Sequence, residues 1–245
     1  MKSLLGSASR RVLLAAVLAI GSVHNATAAT LVVTNLNDSG AGSLRAAVAA
    51  STNGDTIVFD PALTAAGPAT LALASSIPIN SDIVITGPGS SMLSISTAAG
   101  GRHLWIAASR TVTIEKLTFR DGSVLTGSQG GSILHYGTLL TVRNCRFMNS
   151  SADYGGAIAA MGPLVLEDTE IIGNTAGTSG GGVFTGGNVG TLDATRCIFS
   201  GNTAGEFGGG IGGFGSSAVL TDCILSGRSE EHTSELQSLS DLVCR

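Results

Sequence analysis

Glu167, Asp168, Glu170 and Asp193 form the densest acidic cluster of the chain, and Arg143, Arg146 and Arg196 lie close to them in sequence. Grouped carboxylates can hold a hard cation, and they shift one another's proton affinity. The same charges have a structural use if they face opposite partners on neighbouring strands. Which use applies depends on where the backbone puts them.

The remaining candidates are weaker. Cys145, Cys197 and Cys223 lack metal-ligand spacing. "GTSGG", Gly177 to Gly181, matches G-x-S-x-G, but that nucleophile motif requires a helix immediately after it, and none is expected here. His103 and His135 have no Cys or acidic neighbours in sequence and read as satisfied or solvent-facing residues. Trp105 and Tyr136 could each touch a sugar, yet aromatics make up only 4% of the chain, too few to announce a stacking groove. No cofactor and no metal site is expected.

The elements that carry these residues repeat. "VTIEKLTF", "LTVRNCRF", "LVLEDTEI", "LDATRCIF" and "AVLTDCIL" align with Leu117, Cys145, Thr169, Cys197 and Cys223 in one column, at spacings of 28, 24, 28 and 26. A second apolar column, Phe119, Phe147, Ile171, Phe199 and Leu225, lies two positions on, and a third, from Ile114 to Leu220, three positions back. Glycine blocks at Gly130, Gly155, Gly180 and Gly208 keep step at spacings of 25, 25 and 28. Such a period marks a repeat architecture. Apolar residues alternate with period two, β-branched residues are common and helical periodicity is missing, so each unit consists of short strands. One unit cannot bury its own inner face, and a propeller blade needs about 40 residues. The expected fold is all-β, a right-handed parallel β-helix with coils of about 24–28 residues stacked about 4.8 Å apart.

Within a coil, alternation fails between the third column and the first, which implies a corner. Lys116, Asn144, Asp168, Arg196 and Asp222 precede the first column, and Asn and Asp tolerate the left-handed backbone a corner demands. The same logic assigns a second corner to Asn174 and Asn202, and glycine-rich segments are expected to loop out before each glycine block. The alignment also places the charges: Arg143 between Glu115 and Glu167, Arg146 beside Glu170, and Arg196 between Asp168 and Asp222. Every acid of the cluster thereby gains a basic neighbour, and a structural ladder is favoured over a catalytic cluster. Cys197 and Cys223 fall one coil apart, within disulfide range. Their parallel Cβ directions and apolar column favour free thiols packed as small hydrophobes.

The first stretch has a basic start at Lys2, Arg10 and Arg11, an apolar run from Val12 to Ile20 and a small-residue site at Ala26 to Ala28. These are the parts of a secretory signal, expected at residues 1–28 and too short in its apolar run to span a bilayer. The mature chain is expected to be exported, extracellular or at the cell surface, and not membrane-spanning. Between Ala29 and Gly227 there are 8 Lys and Arg against 13 Asp and Glu, a net charge of −5 with no basic cluster, which argues against nucleic acid as partner. "SLRAAVAAS", Ser43 to Ser51, is the one convincing helix and is placed to cap the first coil.

The markers "GGAI" and F/I-x-x-N, at Ile171 to Asn174 and Phe199 to Asn202, resemble the repeats of chlamydial polymorphic outer-membrane proteins, although Phe147 has Ser150 where Asn is expected. "VTNLNDSGAGSLRAAVAA", then "DTIVFDP" and "IVITGPGSSMLSIS", resemble the opening of exported bacterial right-handed β-helix proteins. This resemblance implies a secreted or surface-displayed scaffold, often adhesive, whose partner is a host-cell surface, extracellular matrix or polysaccharide. The fold is also similar to that of β-helix polysaccharide lyases, the pectin lyase-like fold, in which clustered carboxylates hold Ca²⁺ and an Arg or Lys acts as base. On that alternative the catalytic candidates are Glu167, Glu170, Asp193 and Arg196.

The organisation read from the sequence is therefore a signal at 1–28, a cap and first coils at 29–110, glycine-rich coils at 111–227, and a foreign segment at 228–245. That last segment has 6 charges and no glycine in 18 residues, whereas residues 122–227 hold 25 glycines. Its "RSEEHTSELQS" looks like a translated sequencing-library adapter, so the tail is expected to be non-native, to leave the coil incomplete, and to replace further natural coils.

Overall fold

The structure, a computed structural model, describes residues 27–97, 100–187, 189–214, 217–227, 229–230 and 241–244. The expected leader lies outside these residues apart from Thr27 and Ala28.

One coil shows how the sequence generates the architecture. Leu139–Arg143 is a strand in which Leu140 and Val142 are fully buried. Asn144 turns the chain in the left-handed region at φ 51°, and Arg146–Met148 follows with Phe147 buried between two outward residues. Asn149, at φ 53°, makes a second corner into Ser151–Tyr154. Gly155 makes a third, at φ 66°, into Ile158–Ala160. The chain then enters Leu164–Glu167, which lies parallel to Leu140–Arg143, 24 residues after it.

Repetition of this path gives three walls of nine, seven and six strands and a fourth strip of four, with the strands parallel to their neighbours above and below. The first wall contains Leu139–Arg143, the second Arg146–Met148, the third Ile158–Ala160 and the strip Ser151–Tyr154. The chain is a right-handed parallel β-helix of about 7 turns.

Its core is the set of stacked columns. Phe119, Phe147, Ile171, Phe199 and Leu225 are successive register partners, and the first four are fully buried. The rings of Phe119 and Phe147 stack with centroids 5.1 Å apart and 10° between planes. On the first wall Ile114, Val142, Leu166, Ala194 and Leu220 form the equivalent column.

The first corner is where the alignment puts it. Lys116, Asn144, Asp168, Arg196 and Asp222 all have φ between 49° and 57°. Lys and Arg bear a cost here that Asn and Asp largely escape, and hydrogen bonds between coils hold them in place, as from Arg196 N–H to Thr221 O at 2.9 Å. At the second corner the structure corrects the reading. The left-handed residue is the one before, namely Gly173 and Gly201 ahead of the asparagines and Asn149 ahead of Ser150. Asn174 and Asn202 are fully buried, and their amides turn inward to cap backbone groups.

The segments expected to loop out are instead strands: Ser151–Tyr154, Thr175–Ser179 and Thr203–Ala204 build the strip. The glycines after them permit coils to touch. A Cβ on Gly156 would stand 2.2 Å from Gly181 O, so the second glycine of the block is required for close stacking.

The cap forms as expected. Leu44–Ala50 is a helix with Ser43 Oγ accepting from Ala46 N–H at 3.2 Å, and Leu44, Ala47 and Val48 are buried. At the far end Ser229–Glu230 and Asp241–Cys244 pair with the strip and the first wall, Ala204 with Glu230 and Leu220 with Cys244, while among the described residues no strand follows Ile211–Gly213 on the third wall. An open edge presents a full row of backbone N–H and C=O groups, and pairing with it requires extended backbone, not repeat side chains.

Candidate functional site

The acidic cluster resolves into ion pairs between coils. Arg143 Nε lies 2.9 Å from Glu167 and its Nη1 3.7 Å from Glu115. Arg146 Nε is 2.8 Å from Glu170, and Arg196 grips Asp168 with two bonds of 2.7 Å. The Arg196 guanidinium holds the Asp168 carboxyl below the usual carboxylate range. Three of the four candidates, Glu167, Glu170 and Arg196, thus meet partners at the corner between the first and second walls. Asp193 does not join them: it projects from mid-strand with Val165 and Val219 as register neighbours, and it has no ion pair among the described residues. The expectation that every acid of the cluster gains a basic neighbour fails there, because Asp193 falls on a strand centre whose outward column is otherwise uncharged.

These pairs lock register more than they stabilise. Arg146 and Glu170 are each 38% exposed, and such a cross-strand pair is worth about 0.2–1 kcal/mol. Arg146→Gln is expected to lower stability by less than about 1 kcal/mol in low salt and by nothing measurable in 1 M salt. Urea unfolding at the two ionic strengths checks this, and an undiminished loss in high salt would refute it.

Cys145, Cys197 and Cys223 are free thiols. Burial pushes the thiols of Cys145 and Cys197 up to about 12, which makes them inert at neutral pH. Cys223 Sγ accepts from Cys197 N–H at 3.4 Å. Ser179 of the "GTSGG" match is fully buried at a strand end and is followed by Gly180 at φ 70°, not by a helix. His103 and His135 are both fully buried. His103 Nε2 lies 3.1 Å from Arg120 O, and His135 Nε2 lies 3.2 Å from Pro163 O while its Nδ1 accepts from Gly137 N–H. Both are neutral, with burial lowering each to about 4.

The third wall carries what sequence reading missed. Along it Pro78, Trp105, Leu134, Ala159, Phe184 and Gly212 are successive register partners. They alternate with the core residues Ile77, Leu104, Ile133, Ile158, Val183 and Ile211, so they lie on the outer side of the wall, where Pro78 and Trp105 are exposed but Leu134, Ala159 and Phe184 are buried in a second cluster with Tyr154 and Met161 packed against it. Trp105 is 37% exposed. Farther along, Tyr154 and Phe214 close around Phe184, with ring centroids 5.1 and 5.6 Å from it.

Three clefts follow this face at the capped end. One, of about 370 Å³, is lined by Arg45, Ile77, Pro78, Asn80 and Ser81 among others. The next, of about 320 Å³, is lined by Ser76, Pro78, Arg102 and Trp105. The last, of about 560 Å³, runs from Gly100 to Arg102 and across Ser123 to Leu125 and Ser128. Pro78 is shared by the first two and Arg102 by the last two, so the three adjoin one another and make up a trough of neighbouring clefts across successive coils. No carboxylate lines it.

Known protein families and curated proteins provide no match to this chain. Among the described residues, no group of three or more His, Cys, Asp or Glu is placed to hold a metal ion, and no helix is long and apolar enough to cross a membrane.

Proposed function

We propose that the chain is an exported, cell-surface β-helix scaffold that acts as an adhesin. The observation that carries this reading is the open end of the outer column of the third wall, where Trp105 and Pro78 stand exposed side by side, while Leu134, Ala159 and Phe184 farther along are buried with Tyr154 and Met161 packed against them. Contact surfaces are enriched in such residues. Further support comes from the signal-like residues 1–28, from the likeness of the glycine and asparagine markers to outer-membrane repeat proteins, and from the ion pairs that occupy Glu167, Glu170 and Arg196.

The partner on this reading is a host-cell, matrix or polysaccharide surface. The full chain displayed on a non-adherent bacterium is expected to confer binding to cultured cells or matrix above an empty-display control, and no gain in binding would overturn the proposal. Incubation with acidic polysaccharides is expected to leave the ultraviolet band of unsaturated uronates flat. A rising band lost in Glu167→Gln or Arg196→Gln would establish the lyase reading in its place.

A further inference from the structure

The geometry points to the trough on the third wall as a binding site for an anionic saccharide chain, with Arg102 as the anion-recognising group and the Pro78–Trp105 step as the stacking floor. The inference gives a ligand class to the face on which the adhesin reading rests.

Four observations support it. The trough is a run of three adjoining clefts that meet at Pro78 and Arg102 and lie across several coils, an arrangement that suits an extended polymer. Its floor is apolar where Trp105 lies beside Pro78 in register, and an exposed indole next to a proline offers a flat surface for the C–H face of a pyranose ring. Arg102 has no carboxylate partner among the described residues, unlike Arg45, Arg120, Arg143, Arg146 and Arg196. Finally, Ser76 Oγ on the lining is buried with no hydrogen-bond partner in the structure, although buried polar groups are normally satisfied.

Arg102 is also positioned for the task. Its Nε donates to Gly130 O at 2.9 Å and its Nη2 donates to Gln129 O, which fixes the guanidinium plane on the trough wall. A held, partly buried guanidinium without a counter-charge suits a carboxylate or sulfate in bidentate geometry. Arg45 at the capped end does not serve this way, because Asp38 at 2.6 Å and the carbonyls of Ser75 and Ser76 occupy it. Neutral sugars would gain the stacking floor but not the charge.

The test is calorimetric titration of the full chain with three probes of matched length: oligogalacturonate for the carboxylate, heparin-derived oligosaccharide for the sulfate, and dextran oligosaccharide as neutral control. Binding to at least one anionic probe is expected to be about tenfold or more tighter than to dextran, since a hydrogen-bonded charge is worth that much. Whichever anionic probe binds identifies the acid. Trp105→Ala, at a partly exposed position, is expected to weaken anionic binding about tenfold. Arg102→Gln is expected to erase the preference over dextran, with circular dichroism confirming the fold. Should the Gln variant unfold, Arg102→Lys replaces it and is expected to reduce the preference without abolishing it. Equal affinity for dextran, binding to none of the three, or variants that bind as the parent does would each overturn the inference. Cell adhesion without anionic binding would leave the adhesin reading standing, and anionic binding without adhesion would do the reverse.

Discussion

Asn174→Leu is expected to destabilise the β-helix by about 3–5 kcal/mol, among the largest single losses available in the chain. The amide of Asn174 lies at 0% exposure where one coil meets the next. Its Oδ1 accepts from Ser150 N–H at 2.9 Å, and its Nδ2 donates to Phe147 O at 3.1 Å and to Asn202 Oδ1 at 3.0 Å. Leucine fills the same volume but leaves the Ser150 amide and the Phe147 carbonyl buried without partners, at about 1–3 kcal/mol each. Asn202 repeats the arrangement one coil on, donating to Ile171 O at 2.8 Å. The preceding coil supplies its own control. There Ser150 occupies the slot, and its Oγ accepts from Gly122 N–H at 3.2 Å and bonds Ser132 Oγ at 2.8 Å. Asn174→Ser keeps an acceptor and should therefore lose clearly less than Asn174→Leu. Urea denaturation of the two variants measures the difference, and equal losses would show that volume, not hydrogen bonding, sets the cost.

The asparagine column also shows where sequence reading reaches its limit. Asn is favoured at left-handed corners and equally able to cap backbone groups from a buried position. The pattern F-x-x-N contains nothing that separates the two, and in the first corner Asn144 has the former role while Asn174 has the latter. What was legible depends on parity and period. The Phe119 to Leu225 column, the corner at Lys116 to Asp222 and the cross-coil partners of Arg143, Arg146 and Arg196 all follow from aligning coils, because parallel in-register stacking converts a sequence offset into a spatial neighbour. The strip of Ser151–Tyr154 and its successors was not legible, since the Ala, Asp and Gly in these segments are poor strand formers and pair here because the adjoining walls bring them together.

The trough residues were hidden for a related reason. Trp105 and Pro78 stand 27 positions apart in sequence, as do the members of any column, yet the first coils lack the glycine block that marks register in later ones. Leu134, Ala159 and Phe184 each follow the apolar residue of such a block, and that parity alone places them on the outer side of the wall, where they form a second buried cluster. Extending the same column backwards is the signal that would have reached Trp105. Arg102 carries no such marker; the absence of a carboxylate beside it is visible only once the neighbouring coils are in place.

Acid is expected to unfold the chain in a window set by two histidines, losing on the order of 3 kcal/mol for each between pH 6.5 and about 4. Burial is the first cause for both, and the tautomers follow from their partners. Each Nε2 faces a carbonyl that can only accept, so Nε2 carries the proton. A second proton would have to go to Nδ1. In His135 that atom already accepts from Gly137 N–H at 3.2 Å, so a proton there would set donor against donor. In His103 it is buried with no partner, beside the ring of Phe119 at 5.5 Å, and the new charge would have no acceptor. The folded state therefore holds both rings neutral, whereas the unfolded chain protonates them near 6.5. Stability is fully present above that value and falls with pH until the folded-state value is passed. The paired carboxylates contribute separately and lower: Asp38 and Asp168 are held below their usual range by Arg45 and Arg196, so their stabilisation fades only as pH drops through the carboxylate region. Urea midpoints measured from pH 7.5 to 4.5 should decline steeply, and His135→Asn should flatten roughly half of that decline. A flat profile across the window in the parent chain would show that the two rings are not held neutral by the interior.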